Sequence, residues 1–366
     1  MKKDIFIISS EFPPQPGGIG NHAYNLASYL SSKGLKVTVL ADNRSASGKE
    51  EAIFDSACDF QVVRTRVTSP RVFMYFIRLI KTLKYLKNHQ KLIVSGKFPI
   101  WLGALTTPFF SGTKMAVVHG TEVNFKNKWL KKSIDKALGG YDIIIAVSRH
   151  TKSLLTPKNQ EKCKVISNGF DPLKFDLPGV LANKMFGELK LVTVGNVTHR
   201  KGQLNVIRHL PGLLQVFPGL HYHMVGLPTY KDEFLEEAKK LKIADKITFH
   251  GVLSDANLKA CLLESTIFVM LSNETASGDI EGFGIAVLEA NYLGIPAIGS
   301  RGCGIEDAIL DGKSGHLIDF DDEKAFIIAI KEILKNKESY KVEAIQWGNK
   351  HRWEIIIQNY LKELSL

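Results

Sequence analysis

The chain has 366 residues, 45% of them hydrophobic and 23% charged, with a formal net charge of +11. This is the composition of a globular protein with material for more than one core, and no apolar run nears the roughly 18 residues that span a bilayer. Cys58, Cys163, Cys261 and Cys303 are scattered without metal or redox spacing, which argues against a zinc module or a disulfide scaffold and suits reduced thiols in a cytoplasmic protein.

The opening apolar run breaks at Ser9-Ser10-Glu11. It is too short for a signal peptide and is expected to be a first buried strand. In chain order, strands are expected at 5–9, 37–40, 92–95, 115–119 and 143–147, with longer polar–apolar stretches such as 21–33 between them. The pattern then restarts at 189–194, 221–225, 247–250, 267–271 and 297–300. Strands alternating with helices mark parallel sheets. Two such sets imply an α/β protein of two Rossmann-like domains facing each other across a cleft. Asn168-Gly169 and Asp171-Pro172 are turn signals, so the first domain is expected over 1–170 and the second over 171–346, followed by an amphipathic helix over 347–366. Charge is divided unevenly: residues 1–170 hold 26 Lys/Arg against 11 Asp/Glu, and residues 171–366 hold 22 against 26. The first half is therefore expected to face something anionic.

Ligands of open parallel sheets gather beyond the carboxyl ends of strands, and four segments fall there. Glu11-Phe12-Pro13-Pro14-Gln15-Pro16-Gly17-Gly18-Ile19-Gly20-Asn21-His22 follows the first strand. Its glycines, including Gly17 and Gly18, permit unusual backbone angles and bare N–H groups at a helix start. His119-Gly120-Thr121-Glu122 ends a buried strand. Gly195-Asn196-Val197-Thr198-His199-Arg200-Lys201-Gly202 opens the second domain with two adjacent cations suited to a diphosphate. Asp279-Ile280-Glu281-Gly282-Phe283-Gly284-Ile285-Ala286-Val287-Leu288-Glu289 sets one carboxylate on a loop and another inside the following helix. The helix start between them is a seat for phosphate, and the polar stretch 272–278 ahead of it is expected to form a mobile lip. Two further stretches, 71–91 and 124–138, mix cations with aromatics at helical spacing. Each is either an ordinary surface helix or a helix that lies on an anionic membrane.

The Glu281…Glu289 segment resembles the E-x7-E signature of the retaining glycosyltransferases of family 4, which have the GT-B fold. The resemblance extends through "EFPPQPGGI", "HGTE", "ISNGFDPLKF" and "GNVTHRKG". It implies transfer of a hexose from a GDP- or UDP-linked sugar to a glycan or lipid-linked acceptor, without a metal or other cofactor, and a last helix that returns to the first domain. By resemblance, His119 hydrogen-bonds the donor sugar and Glu122 orients its loop or faces the acceptor. Glu281 faces the sugar hydroxyls, and Glu289 takes the ribose. Gly17, Gly18, Phe283, Gly284 and Ile285 border sugar and phosphates. Lys201 and Arg200 neutralise the leaving group. The family has an arginine where Asn196 stands, a departure that leaves open whether Arg200 substitutes for it. A nucleotide-sugar 2-epimerase shares the fold. A nucleic-acid-binding protein lacks a recognisable motif here, and a dinucleotide dehydrogenase lacks its full glycine fingerprint.

Overall fold

A computed structural model describes residues 4–15, 17–179 and 185–366; Met1–Lys3 of the opening run and Pro16 of the first loop lie outside them. The chain divides into two compact units, Met1–Gly169 with Trp353–Leu366, and Phe170–Arg352.

The first unit is built on a seven-stranded parallel sheet of β1 (Asp4–Ser9), β2 (Lys36–Asn43), β3 (Gln61–Arg66), β4 (Lys91–Ser95), β5 (Thr113–Val118), β6 (Ile143–Ala146) and β7 (Cys163–Val165). Their order is β3-β2-β1-β4-β5-β6-β7. In register, Ile7 lies beside both Val39 and Ile93. Residues in such central strands are covered on both faces, which is why these strands are almost wholly apolar. Phe6, Leu92, Val94, Val118 and Ile134 are buried between sheet and helices, each contributing about 1.5–3 kcal/mol by leaving water. The second unit holds β8 (Leu189–Val194), β9 (Leu220–Val225), β10 (Ile247–Gly251), β11 (Ile267–Met270), β12 (Ala297–Ser300) and β13 (Gly315–Ile318). These are parallel and ordered β10-β9-β8-β11-β12-β13. Leu191, Leu210, Tyr222, Phe234, Val269 and Phe326 form its core.

Three strands, β3, β7 and β13, fall where the sequence gives no expectation of one, and all three are sheet edges. An edge strand has one neighbour and needs no continuous apolar run. Gln61-Val62-Val63-Arg64-Thr65-Arg66 carries two arginines, and Cys163–Val165 has three residues. The helix expected over 347–366 is two helices. Trp347 lies within Lys337–Lys350, and the last helix is Trp353–Glu363. Trp347 stays with the second unit because its indole Nε1 donates to the Ala308 carbonyl at 2.9 Å. Gly348 packs with no room for a Cβ against the Tyr292 backbone. The last helix belongs to the first unit, where Trp353 and Tyr360 are completely buried.

In each sheet the strand order reverses beside the first strand, between β1 and β4 and between β8 and β11. Crossovers leave to opposite sides there, and the loops that follow the strands open a crevice.

Candidate active site

In the second unit, Gly195 (φ 145°) follows β8, and the chain makes a single 3-10 turn, His199–Lys201, before the helix Gln203–Val216. Gly202 between them has φ 75°, and a Cβ there would run into the Leu271 carbonyl at the end of β11, so only glycine serves. Gln203 stiffens the loop. Its Nε2 donates to the Asn196 carbonyl at 3.1 Å, and its Oε1 accepts from Thr198 N–H at 3.3 Å. Ser272 donates to the Arg200 carbonyl, and Ser300 donates to the Ser272 carbonyl. The start of the expected lip is thus buried and tied to the basic loop. The rest folds on itself as a turn, with Thr275 N–H donating to the Asp279 carbonyl at 2.9 Å.

These constraints aim two cations at one carboxylate. Lys201 Nζ lies 2.8 Å from Glu281 Oε2, Arg200 pairs with the same oxygen, and Arg200 Nε reaches Asp279 at 3.3 Å. The Phe283 backbone amide also favours the ionised Glu281 carboxylate. Burial pushes the Glu281 carboxyl up, but Lys201 and Arg200 outweigh it and hold it at about 2. Glu281 raises the Arg200 guanidinium in return.

Gly284, with φ 92°, precedes the helix Ile285–Tyr292, which no side chain caps. Its leading N–H groups and the positive end of its dipole are therefore left for a ligand. About one turn on, Glu289 pairs with Lys174. Phe283 contributes backbone, its ring being buried. Asn196 is exposed, whereas Arg200 is engaged at Glu281. Of the expected residues in this unit, Arg200, Lys201, Glu281, Phe283, Gly284 and Ile285 are brought together, with Glu289 further along the same helix.

The first unit has its own polar cluster at the ends of β4 and β5. His119 Nε2 and Ser95 Oγ are hydrogen-bonded at 2.9 Å, and His119 N–H donates to Glu122 Oε1 at 2.7 Å. Burial lowers the His119 imidazole to about 4 and raises the Glu122 carboxyl. The second Glu122 oxygen is buried with no hydrogen-bond partner among the described residues. His22, from the helix Gly18–Ser32, packs edge-on against His119 with ring centroids 5.0 Å apart. It hydrogen-bonds Tyr360 Oη at 2.9 Å.

The glycines of the first loop act through close approach rather than unusual angles. Gly17 is extended at φ 167°, where a Cβ would meet Glu11 at 2.6 Å, and one at Gly20 would meet the Phe12 backbone at 3.0 Å. Gly18 opens the helix with free space around it. Sequence reasoning missed Ser95, Asp279 and Lys174, and gave His22, the end of the first-loop segment, no role of its own. Asp279 stands beside Glu281 in the motif and could have been found. Lys174 lies in the "DPLKF" stretch but carries no local sign of its distant partner.

Two family models match the chain: "Glycosyltransferase Family 4" over residues 16–173 and "Glycosyl transferases group 1" over 183–346. Among curated proteins it is 25% identical over 346 residues to a GDP-mannose-dependent alpha-(1-6)-phosphatidylinositol monomannoside mannosyltransferase of Mycolicibacterium smegmatis, covering 90% of this chain and 89% of that one. It is 24% identical over 368 residues to a glycogen synthase of Mycobacterium tuberculosis, covering 90% and 86%. Among solved structures, the sucrose-phosphate synthase of Thermosynechococcus elongatus superposes with a TM-score of 0.81 at 16% identity, over 99% of this chain and 98% of that one. Anabaena Alr3699/HepE in complex with UDP and glucose superposes at 0.78, also at 16% identity, over 99% of each chain.

Proposed function

The chain belongs to the family 4-like glycosyltransferases, GT-B in fold and hexosyltransferases drawing on a nucleotide-sugar donor. On that premise we propose that it moves a hexose from a GDP- or UDP-linked sugar to a hydroxyl of a glycan or glycolipid, with retention at the anomeric carbon and without a metal. The observation that carries this reading is the Glu281 carboxylate held by Lys201 and Arg200 ahead of the uncapped helix Ile285–Tyr292. A diphosphate at that helix start meets bare N–H groups and two cations, and a sugar beyond it meets Glu281. Glu289, about one turn along the helix, takes the paired hydroxyls of the ribose.

In the reaction the bond from the anomeric carbon to the phosphate oxygen breaks, and the acceptor oxygen bonds that carbon on the same face. The acceptor proton passes to the departing phosphate. Lys201, Arg200 and the helix dipole stabilise the charge that gathers on that phosphate, the preorganised electrostatic effect that dominates many enzymes. His119 stays neutral and hydrogen-bonds the donor sugar, with Ser95 fixing its ring and Glu122 its backbone. A lipid-linked acceptor is supported by the mannosyltransferase relative, whose name carries a phosphatidylinositol monomannoside; on this reading the protein works on it from the cytoplasm, at the inner face of the membrane.

The test is a thermal-shift panel of UDP, GDP, ADP and TDP with and without EDTA. A ligand that binds only the native state raises the melting temperature by mass action. One diphosphate should do so, undiminished by EDTA. A shift that EDTA abolishes removes the metal-free reading, and no shift with any diphosphate removes the donor site.

A further inference from the structure

The helix Arg71–Leu86 carries its polarity the wrong way round for a helix that packs on a sheet. The residues it buries are Met74, Arg78, Thr82 and Leu86. Arg78 is paired with Asp42 and lies over the Phe98 ring at 4.7 Å. Besides Arg71 and Lys84, the residues it exposes are apolar: Val72 is 72% exposed, Phe73 63%, Phe76 61% and Ile80 51%. Steps of three and four along a helix fall on one face, so Phe73, Phe76 and Ile80 form a stripe. The same stripe continues one turn on into Lys84 and Lys87, both exposed. An ordinary surface helix turns such a stripe inward.

The charge around the stripe says what covers it. Between Asp59 and Glu122 the sequence contains no acidic residue and ten Lys/Arg. A second copy of this chain would set those cations against one another, whereas an anionic surface with an apolar interior satisfies stripe and lysines together. We infer that the helix Arg71–Leu86 docks the protein on an anionic lipid bilayer, with Phe73, Phe76 and Ile80 entering the acyl boundary and Lys84 and Lys87 resting on the headgroups. This surface is separate from the residues assigned to sugar transfer.

The experiment is sedimentation of the full chain with vesicles of phosphatidylcholine, with and without phosphatidylglycerol, alongside light scattering of the protein alone. Wild type should bind the anionic vesicles and not the neutral ones. Phe73→Ser/Phe76→Ser should weaken binding at least about a hundredfold, since two large apolar side chains no longer enter the membrane. Lys84→Gln/Lys87→Gln should weaken it roughly thirtyfold, at about 1 kcal/mol for each cation near the surface. Because all four side chains are exposed, the variants should keep the wild-type melting temperature and its shift with a nucleoside diphosphate, which separates this test from that of the donor site. The inference is overturned if wild type ignores anionic vesicles, or if both double variants bind as wild type does. It is equally overturned if the protein is a dimer that Phe73→Ser/Phe76→Ser makes monomeric, which would assign the stripe to a second copy.

Discussion

The clusters around His119 and Glu281 both sit at the ends of strands close to the point where a sheet's order reverses, yet they treat charge in opposite ways. At His119 burial has its way. The imidazole is pushed down to about 4, the Glu122 carboxyl is pushed up, and one Glu122 oxygen has no partner among the described residues. At Glu281 burial loses, because two cations share a single carboxylate oxygen and hold the carboxyl near 2. A buried ionisable group stays charged where the chain supplies opposite charge and gives up its charge where it does not. The neutral cluster suits a sugar's hydroxyls. The ionised one suits a substrate that brings negative charge and can take the cations over.

The largest effect should come from the ionised side. Glu281→Gln keeps the shape and removes the charge, and transfer should fall by about 10²- to 10³-fold, while the melting-temperature shift with the nucleoside diphosphate survives. Turnover near wild type would break the assignment. Less is expected from the neutral side. His119→Ala should cost about 10²-fold in kcat, the loss of one preorganised hydrogen bond, and kcat/KM of the wild type should show no ionisation from this residue between pH 8 and 5. An acid limb near pH 6.5 that vanishes in His119→Gln would mean that the imidazole is charged in use.

The smallest effect is on stability, and it sharpens the contrast. His22, His119, His221, His223 and His250 all lie below the ordinary imidazole value, burial being the first cause in each. The unfolded chain therefore takes up protons near pH 6.5 that the folded chain refuses. The stability these residues contribute is complete above 6.5 and is lost as pH falls toward about 4. Glu281 behaves differently: its contribution is present above the ordinary carboxyl value and persists until pH falls through about 2. The melting temperature should drop by roughly 5 °C or more between pH 7 and 5. An unchanged melting temperature over that range would show these imidazoles to be open to protons in the folded chain.

What was legible in the sequence was whatever is local. Glu281, Gly284 and Glu289 share one loop and helix, and Arg200 and Lys201 share one turn, so spacing and strand ends were enough to pick them out. What escaped depends on distant parts of the chain. Lys174 meets Glu289 from 115 residues away, and His22 meets Tyr360 from 338 away. Likewise, the strand β3 is recognisable through its partner β2 rather than through its own arginine-bearing residues. The break between Lys350 and Trp353 contains no proline or glycine. It exists because Trp347 is tied to the second unit through the Ala308 carbonyl, while Trp353 is buried in the first.

That break has a consequence in time. The first unit takes its last helix from beyond the whole of the second. A ribosome adding about 5–20 residues per second makes the two pieces tens of seconds apart. In that interval the helix Gly18–Ser32 has neither Trp353 nor Tyr360 packed on it, and His22 lacks its partner. The unit synthesised first is thus the one completed last, and His22, the ring packed on His119, gains Trp353 and Tyr360 when the final helix arrives.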